Sequence, residues 1–508
     1  MKTSKSAKIY NYKFFLAAAL LLSVHVFTQF PYLAQAFYFD EVAYAVKAIL
    51  LLAGKGFYSV HFHDRLPGIY GIYTLAGLLF GQVSPLAVRT ITLAFTSLAV
   101  VTFFGITYKM SGLIVGLISS FLFAIFFIDP AVQGHTANTE IFAVTFFIFG
   151  VFLFLTESRF LKRVAPIVVG ITLLFRPTMV FSVVLFILLT YKRGNSTGLK
   201  LLFTLLAKVA IPVIITLFLV LISGEILTFL DWQITKNSIH MKTAYFGGYF
   251  FENARFTFRQ IFSNSWFFWL AAILGLISFS LTKNSKIRVA YLFFGTIILS
   301  ILFSGWFFQH YFIELTPILA LFAGLLISKI VSVKTRFKPL ILFLLVSLVL
   351  IGFIDFYFDQ RAFLENRVIQ RKIAVLEDEK IKEEGYLKVV NLIKQKPELG
   401  VFVWDDSGLI YVLSERVPIS FFSYKQPLLP NDLLYHTFRG YFPNYLENRE
   451  RLMVELEEKS PGIIIVRKTS ELDKEIKGFP EFFGYLEKRY LKKDIGKFII
   501  YTLESLEI

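Results

Sequence analysis

Apolar runs of twelve to twenty-four residues, separated by short polar connections, fill the first 356 positions, and a shorter apolar and polar alternation takes over after them. The runs lie at Phe14–Phe30, Leu86–Tyr108, Leu113–Ile128, Ile141–Thr156, Val164–Phe175, Thr178–Tyr191, Leu199–Ile222, Trp266–Leu281, Val289–Ser304, Tyr311–Ile330 and Pro339–Phe356. A run of this kind satisfies its own backbone only as a helix, so the pattern predicts a polytopic α-helical membrane bundle. A twelfth stretch, Leu66 to Gly81, is short and carries Pro67, Gly68, Gly71 and Gly77.

Beyond Tyr357, helical patterns at Arg361–Lys394 and Leu446–Glu458 alternate with strand-like runs at Val401–Trp404, Ile463–Val466 and Phe498–Thr502. These predict a small α/β domain over 359–508, following a membrane module over 1–358. No glycine-rich phosphate loop precedes its helices, so docking or acceptor positioning is expected of it.

Composition sharpens this picture. The chain of 508 residues is 56% hydrophobic and 18% aromatic, more apolar surface than one soluble core can bury. Sixty Phe residues and uninterrupted runs exclude a membrane barrel, whose strands would alternate. Cysteine is absent, which removes disulfides and thiolate chemistry. The net charge of +16 sits entirely before Tyr357, where 28 Lys and Arg face 11 Asp and Glu, against 24 and 25 afterwards. Its placement in short inter-helix connections encodes topology, and no nucleic-acid partner is implied.

If Leu66 to Gly81 lies along the surface, the connections holding Lys109, Arg159, Lys162, Arg163, Lys192, Arg193, Lys283, Lys286, Arg288, Lys334, Arg336 and Lys338 share a side with Lys2, Lys5, Lys8 and Lys13. The positive-inside rule then gives about eleven spans, a cytoplasmic N-terminus and an outer C-terminal domain in a plasma membrane. The same parity splits Val164 to Tyr191 into half-helices hinged at Arg176-Pro177. Ten of the eleven early acids fall outside, and only Glu157 inside. The N-terminus has the basic, apolar and Ala34-Gln35-Ala36 pattern of a secretory signal, but its long core predicts an uncleaved first helix.

The first outer loop, 31–85, concentrates the candidate chemistry: Asp40, Glu41, Tyr44, Tyr58, His61, His63, Asp64 and Arg65. Glu41 to Leu52 has helical periodicity, which puts the acid pair at a helix start, where one acid can cap and the other act. His61 and His63 would share a strand face, making a divalent metal a possible cofactor. Arg65 offers a phosphate a bidentate partner, as does Arg176 at the hinge, where a charge in the membrane must face a cavity. A second outer loop carries His135, Asn138 and Glu140. A third boundary, Trp306 to Tyr311, adds Gln309, His310 and Tyr311.

The segments FDEVAYA, GKGFYSVHFHDRLPGIYGIYTLAGLLFG, LAVR at Leu86–Arg89, ANTEIF and HYFIELTP at His310–Pro317 together resemble the C-type glycosyltransferase superfamily (GT-C), in particular the group of protein O-mannosyltransferases and the lipid A aminoarabinose transferase. The resemblance covers most of 30–330. It implies a polyprenyl-phosphate sugar donor, a lipid, glycan or protein acceptor, and catalysis by Asp40 as general base with Glu140 as a second outer-loop acid. It places Arg65, where relatives often have Lys, on the lipid phosphate. Two juxtamembrane helices are implied at Glu41–Ala53 and Leu66–Gly81. The inserted sugar-binding-like domain of the mannosyltransferase branch has no room here. A ligase or polymerase of lipid-linked glycans and a transporter or flippase are the competing readings; half-helices suit transport, but the chain shows no internal repeat.

The topology has a direct test. Cysteines placed singly at Ser111 and Ser407 of this cysteine-free chain are expected to be protected and labelled, respectively, by an impermeant maleimide in intact cells.

Overall fold

The computed structural model describes residues 3–33, 35–60, 65–193, 198–332, 385–406, 408–430, 432–434 and 442–504. The run Pro339–Phe356, most of the expected helix 361–394 and the trio His61, His63 and Asp64 lie outside them.

Helix α1 (Thr3–Gln29) leads, by a 3-10 turn, to α2 (Phe39–Leu52) and α3 (Pro67–Phe80). Helix α4 (Pro85–Phe126) is broken at Gly112, whose φ of 86° only glycine adopts without strain. The break folds α4 back on itself. Phe103 and Phe123 meet with ring centroids 4.7 Å apart, and Thr107 and Ser120 hydroxyls lie 3.4 Å apart. The two apolar runs expected at 86–108 and 113–128 are therefore the arms of one hairpin.

Helices α5 (Thr139–Leu155), α6 (Arg159–Ile171), α7 (Val180–Arg193) and α8 (Leu199–Ile222) follow. Between α6 and α7 the backbone of Arg176 is extended (φ −141°, ψ 91°) and Pro177 restarts the helix, which gives the expected pair of half-helices. A core of Leu153, Val169, Val183, Phe186, Leu205 and Val209 holds them to their neighbours. Short α9 (Ile226–Leu230) and α10 (Asn237–Phe246) precede α11 (Tyr249–Phe279), bent by 102° at its Ser263–Ser265 break, then α12 (Ser285–Ser304) and α13 (Thr316–Ser332).

Among the described residues, five helical stretches are long and apolar enough to cross a membrane, and the bent α11 would make a sixth. The sequence count of eleven is larger for identifiable reasons. The α4 hairpin holds two runs, α5, α6 and the stretch Pro177–Tyr191 are shorter than a full span, and the last run lies outside the described residues. Short helices are admissible in a bundle whose other members bury them.

The chain divides into two compact units. One comprises Met1–Leu33, Arg89–Thr216 and Phe250–Arg371; the other comprises Ala34–Val88, Leu217–Tyr249 and Lys372–Ile508. The first outer loop thus groups with the C-terminal α/β domain rather than with the spanning helices.

Within the second unit, four strands form one sheet in the order β1-β2-β4-β3: β1 (Val401–Trp404), β2 (Ile463–Arg467), β3 (Tyr490–Ile495) and β4 (Phe498–Leu503). β1 and β2 are parallel, with Val401 opposite Ile463; β4 pairs antiparallel with both β2 and β3. The helices Tyr386–Gln395, Tyr445–Lys459 and Pro480–Arg489 accompany it. Trp404 is fully buried, stacked 4.8 Å from Phe482, and donates its indole N–H to Glu475 (2.8 Å). Lys425 pairs with Glu475 (2.7 Å) and Asp406 (3.4 Å), charges that raise its pKa although burial opposes them. The short helix Leu409–Ser414 packs on α2 and so braces the first loop.

In the first unit, α6 crosses α8 at Gly170, where an added Cβ would stand 2.1 Å from the Val209 carbonyl oxygen. Gly170→Leu should therefore separate the two helices, costing about 2 kcal/mol or more. Thermal unfolding in detergent would show it as a lowered Tm, whereas Gly71→Ala, where an added Cβ meets nothing within 4 Å, should leave the Tm near wild type.

Candidate active site

In the second unit, α2 starts at an N-cap, Tyr38, with extended backbone (φ −72°, ψ 167°). The carboxylate of Glu41, three residues on, accepts the Tyr38 backbone N–H at 2.9 Å, as in a capping box. Glu41 is fully buried, whereas Asp40 is partly exposed in the same first turn. The helix dipole favours both charges there, but their surroundings differ: Glu41 is bound into the backbone and Asp40 has access to solvent.

Every residue from Glu41 to Leu50 is buried, so α2 is covered on all sides. Tyr44 meets Tyr73 of α3 at 5.6 Å and Tyr70 at 6.2 Å. Lys47, which the sequence pattern did not single out, is fully buried; its Nζ donates to the Val60 carbonyl and lies 5.6 Å from the Tyr58 ring centroid. An ammonium without such partners would cost several kcal/mol, so Lys47 ties α2 to the segment of turns that follows it.

That segment is held at three further points. Glu225, from the stretch before α9, accepts the Tyr58 backbone N–H at 3.0 Å. Tyr58 donates its phenol to the Arg65 carbonyl at 3.0 Å, and the Arg65 N–H donates to the Tyr70 hydroxyl. Arg65 therefore has a fixed backbone and a partly exposed side chain, just before Pro67 begins α3. Gly56 leaves room for Glu225: a Cβ there would stand 2.0 Å from its Oε1. No local pattern links position 225 to this loop, and sequence reasoning recorded it only as an outer acid.

The first unit holds a second polar group, buried among helices. Arg176 at the hinge pairs through Nη1 with Glu140 Oε1 (3.1 Å) and through Nε with Glu314 Oε1 (2.9 Å). Its guanidinium carbon lies 3.8 Å from the Tyr311 ring centroid. Glu314 also hydrogen-bonds Ser300 (2.9 Å), and Glu140 accepts from Thr139 (2.9 Å). His310 stands 4.0 Å from Glu140 and 3.1 Å from Oε1 of Gln133, which in turn bonds Gln309 (2.9 Å). The structure thus joins Glu140, Arg176, His310 and Tyr311, and adds Glu314 and Gln133. The guanidinium offered to a phosphate by the sequence is here engaged by two carboxylates.

His135 is buried against Tyr32 (4.9 Å between ring centroids); burial, reinforced by the nearby Arg89 charge, lowers its pKa to about 3 and keeps it neutral. Asp129 caps the turn after α4 through the Ala131 N–H (2.8 Å) and accepts from Ser265 at the bend of α11. Among the described residues no group of three His, Asp or Glu side chains could hold a metal ion; the imidazoles suggested for one, His61 and His63, lie outside them.

The fold of this chain is similar to that of solved transferases. The aminoarabinose transferase ArnT of Cupriavidus metallidurans, solved with undecaprenyl phosphate, superposes with a TM-score of 0.59 at 11% identity, over 96% of this chain and 97% of that one. The apo form of ArnT gives 0.55, over 95% and 97%. The archaeal oligosaccharyltransferase AglB of Archaeoglobus fulgidus, in complex with an inhibitory peptide and a dolichol-phosphate, gives 0.53 at 12% identity, over 98% of this chain and 75% of that one. No protein-family model matches the sequence, and no curated protein matches it.

The latch on the first loop is testable. Gly56→Ala should expel the Glu225 carboxylate and expose the Tyr58 amide, raising hydrogen exchange over 54–60 by roughly tenfold for the loss of one charge-assisted hydrogen bond. Glu225→Gln, which keeps an acceptor, should raise it far less.

Proposed function

We propose that this chain is an integral membrane glycosyltransferase that moves a sugar from a polyprenyl-phosphate donor to an acceptor hydroxyl on the outer side of the plasma membrane. The observation that carries the reading is the division between the two acids at the start of α2. Glu41 is buried and accepts the Tyr38 N–H, while Asp40 is partly exposed in the same turn. The fold shared with ArnT and AglB, whose solved complexes hold undecaprenyl phosphate and dolichol-phosphate, supports the donor class.

The chemistry is a single displacement. The acceptor oxygen forms its bond to the anomeric carbon as the bond from that carbon to the phosphate oxygen breaks, with the electron pair leaving on the phosphate. Asp40 takes the hydroxyl proton, which makes the alkoxide character of the nucleophile accessible at neutral pH. Arg65 neutralises the departing polyprenyl phosphate, to which a guanidinium presents two parallel N–H groups. One displacement inverts the anomeric centre. Tyr58 and Tyr70 are positioning residues, since they fix the backbone from which Arg65 projects.

Glu140, Arg176, Glu314, His310 and Tyr311 form a positioning network rather than a phosphate site. A guanidinium shared by two carboxylates has no net positive charge left for an anionic ligand. Its role is to hold the hinge between α6 and α7 in one conformation. The C-terminal domain packs on α2 through Leu409–Ser414 and so braces the base-bearing helix.

Asp40→Asn should lower sugar transfer from a polyprenyl-phosphate donor in proteoliposomes by about 10²–10⁴-fold while donor binding persists. Arg65→Gln should weaken donor binding itself. NMR of the product anomer checks inversion. Full activity in Asp40→Asn, or retention of configuration, would refute the mechanism.

A further inference from the structure

The first unit contains an apolar cavity of about 300 Å³ that neither acid cluster uses. Helices α4, α5, α7, α12 and α13 line it with side chains such as Phe103, Phe147, Val151, Phe186 and Phe293. Glu314, paired with Arg176, also lines it. Lys109 and Lys286 stand at the mouth, both exposed.

The mouth falls where α4 breaks, α5 and α7 end and α12 begins, the end of the bundle to which the charge pattern assigns the cytoplasm. On α5 alone the lining runs from Val144 to Leu155, about 16 Å at the rise of an α-helix. That is about half of a ~30 Å hydrocarbon core, hence the depth of one leaflet. The lysines have local work: Lys109 caps the Leu155 carbonyl (2.8 Å), and Lys286 takes the Lys109 carbonyl (3.0 Å) freed by the Gly112 break. Carbonyls are neutral, so both ammonium charges still act on whatever sits at the mouth. The buried Thr190 hydroxyl, near the end of α7, has no hydrogen-bond partner among the described residues and lines the same cavity, offering a donor to an ester oxygen.

We infer that this cavity is a lipid site for an anionic membrane phospholipid of the inner leaflet, with one acyl chain between α5, α7 and α12 and the headgroup phosphate on Lys109 and Lys286. A one-leaflet apolar slot with a dibasic rim matches a single-chain insertion from the cytoplasmic side, where basic pockets between helices take anionic headgroups. The site is on the opposite side from Asp40 and Arg65 in the charge-based topology, and it stands whether or not the transferase reading does. Its occupant would fill the space behind Glu314 and so stiffen the hinge at Arg176.

The test uses the full chain purified in detergent, with phosphatidylglycerol and phosphatidylcholine as probes, read by lipid retention in native mass spectrometry and by thermal shift. Phosphatidylglycerol should be retained preferentially and raise the Tm. The double variant Lys109→Gln with Lys286→Gln should lose roughly 30-fold of that preference, since each basic residue near a headgroup contributes about one decade or somewhat less. Val151→Trp should abolish retention of both lipids by filling the slot; Val151→Leu, a smaller change with less risk to folding, should weaken it. Equal retention of both lipids by the wild type, retention unchanged in the lysine variant or in both Val151 variants, or displacement of phosphatidylglycerol by undecaprenyl phosphate would overturn the assignment.

Discussion

A charge buried between membrane helices has no water to fall back on, and the guanidinium of Arg176 makes the rest of the first unit answer to that constraint. Its two carboxylates come from the start of α5 and from the turn before α13, its hinge joins α6 to α7, and Ser300 of α12 completes the set. Five elements therefore share one electrostatic appointment. Removing the guanidinium would leave two buried carboxylates without their counter-charge, which is far costlier than removing an exposed pair. The broken backbone at Arg176-Pro177 is stable for the same reason: the side chain that the break frees is the one that the network needs.

The second unit solves a different problem with the same means. The stretch 34–88 has no long helix to stiffen it, and other contacts must. Buried polar groups do this. Glu41, Lys47, Tyr58 and Glu225 each spend a side-chain or backbone hydrogen bond on fixing a segment end, and the aromatic packing of Tyr44, Tyr70 and Tyr73 excludes water from around them. Precision at the accessible acid is inherited from inaccessible neighbours.

Much of this was legible in the sequence because it is written locally. The acid pair before an apolar helical repeat, Pro67 at the start of α3, the Arg176-Pro177 break and strands β1, β2 and β4 each follow from a few adjacent residues. The polar character of Lys492, Lys493 and Asp494 hid β3, an edge strand exposed from Leu491 to Asp494. Helix Pro480–Arg489 was missed beside it. Pairings at long separation had no local signal: Arg176 with Glu314 spans 138 positions, and Tyr58 with Glu225 spans 167. Lys47 escaped notice since a lysine on a helix ordinarily reaches solvent.

The second unit is assembled from three stretches, 34–88, 217–249 and 372–508, with the membrane helices made in between. Its chain order sets a timetable. During synthesis at roughly 5–20 residues per second, α2 waits about twenty seconds to a minute after emerging before its bracing helix at Leu409–Ser414 exists. A chain truncated by premature termination would display the acid pair on an unbraced helix. The acid pair would then reach its braced setting only once nearly the whole chain has been made.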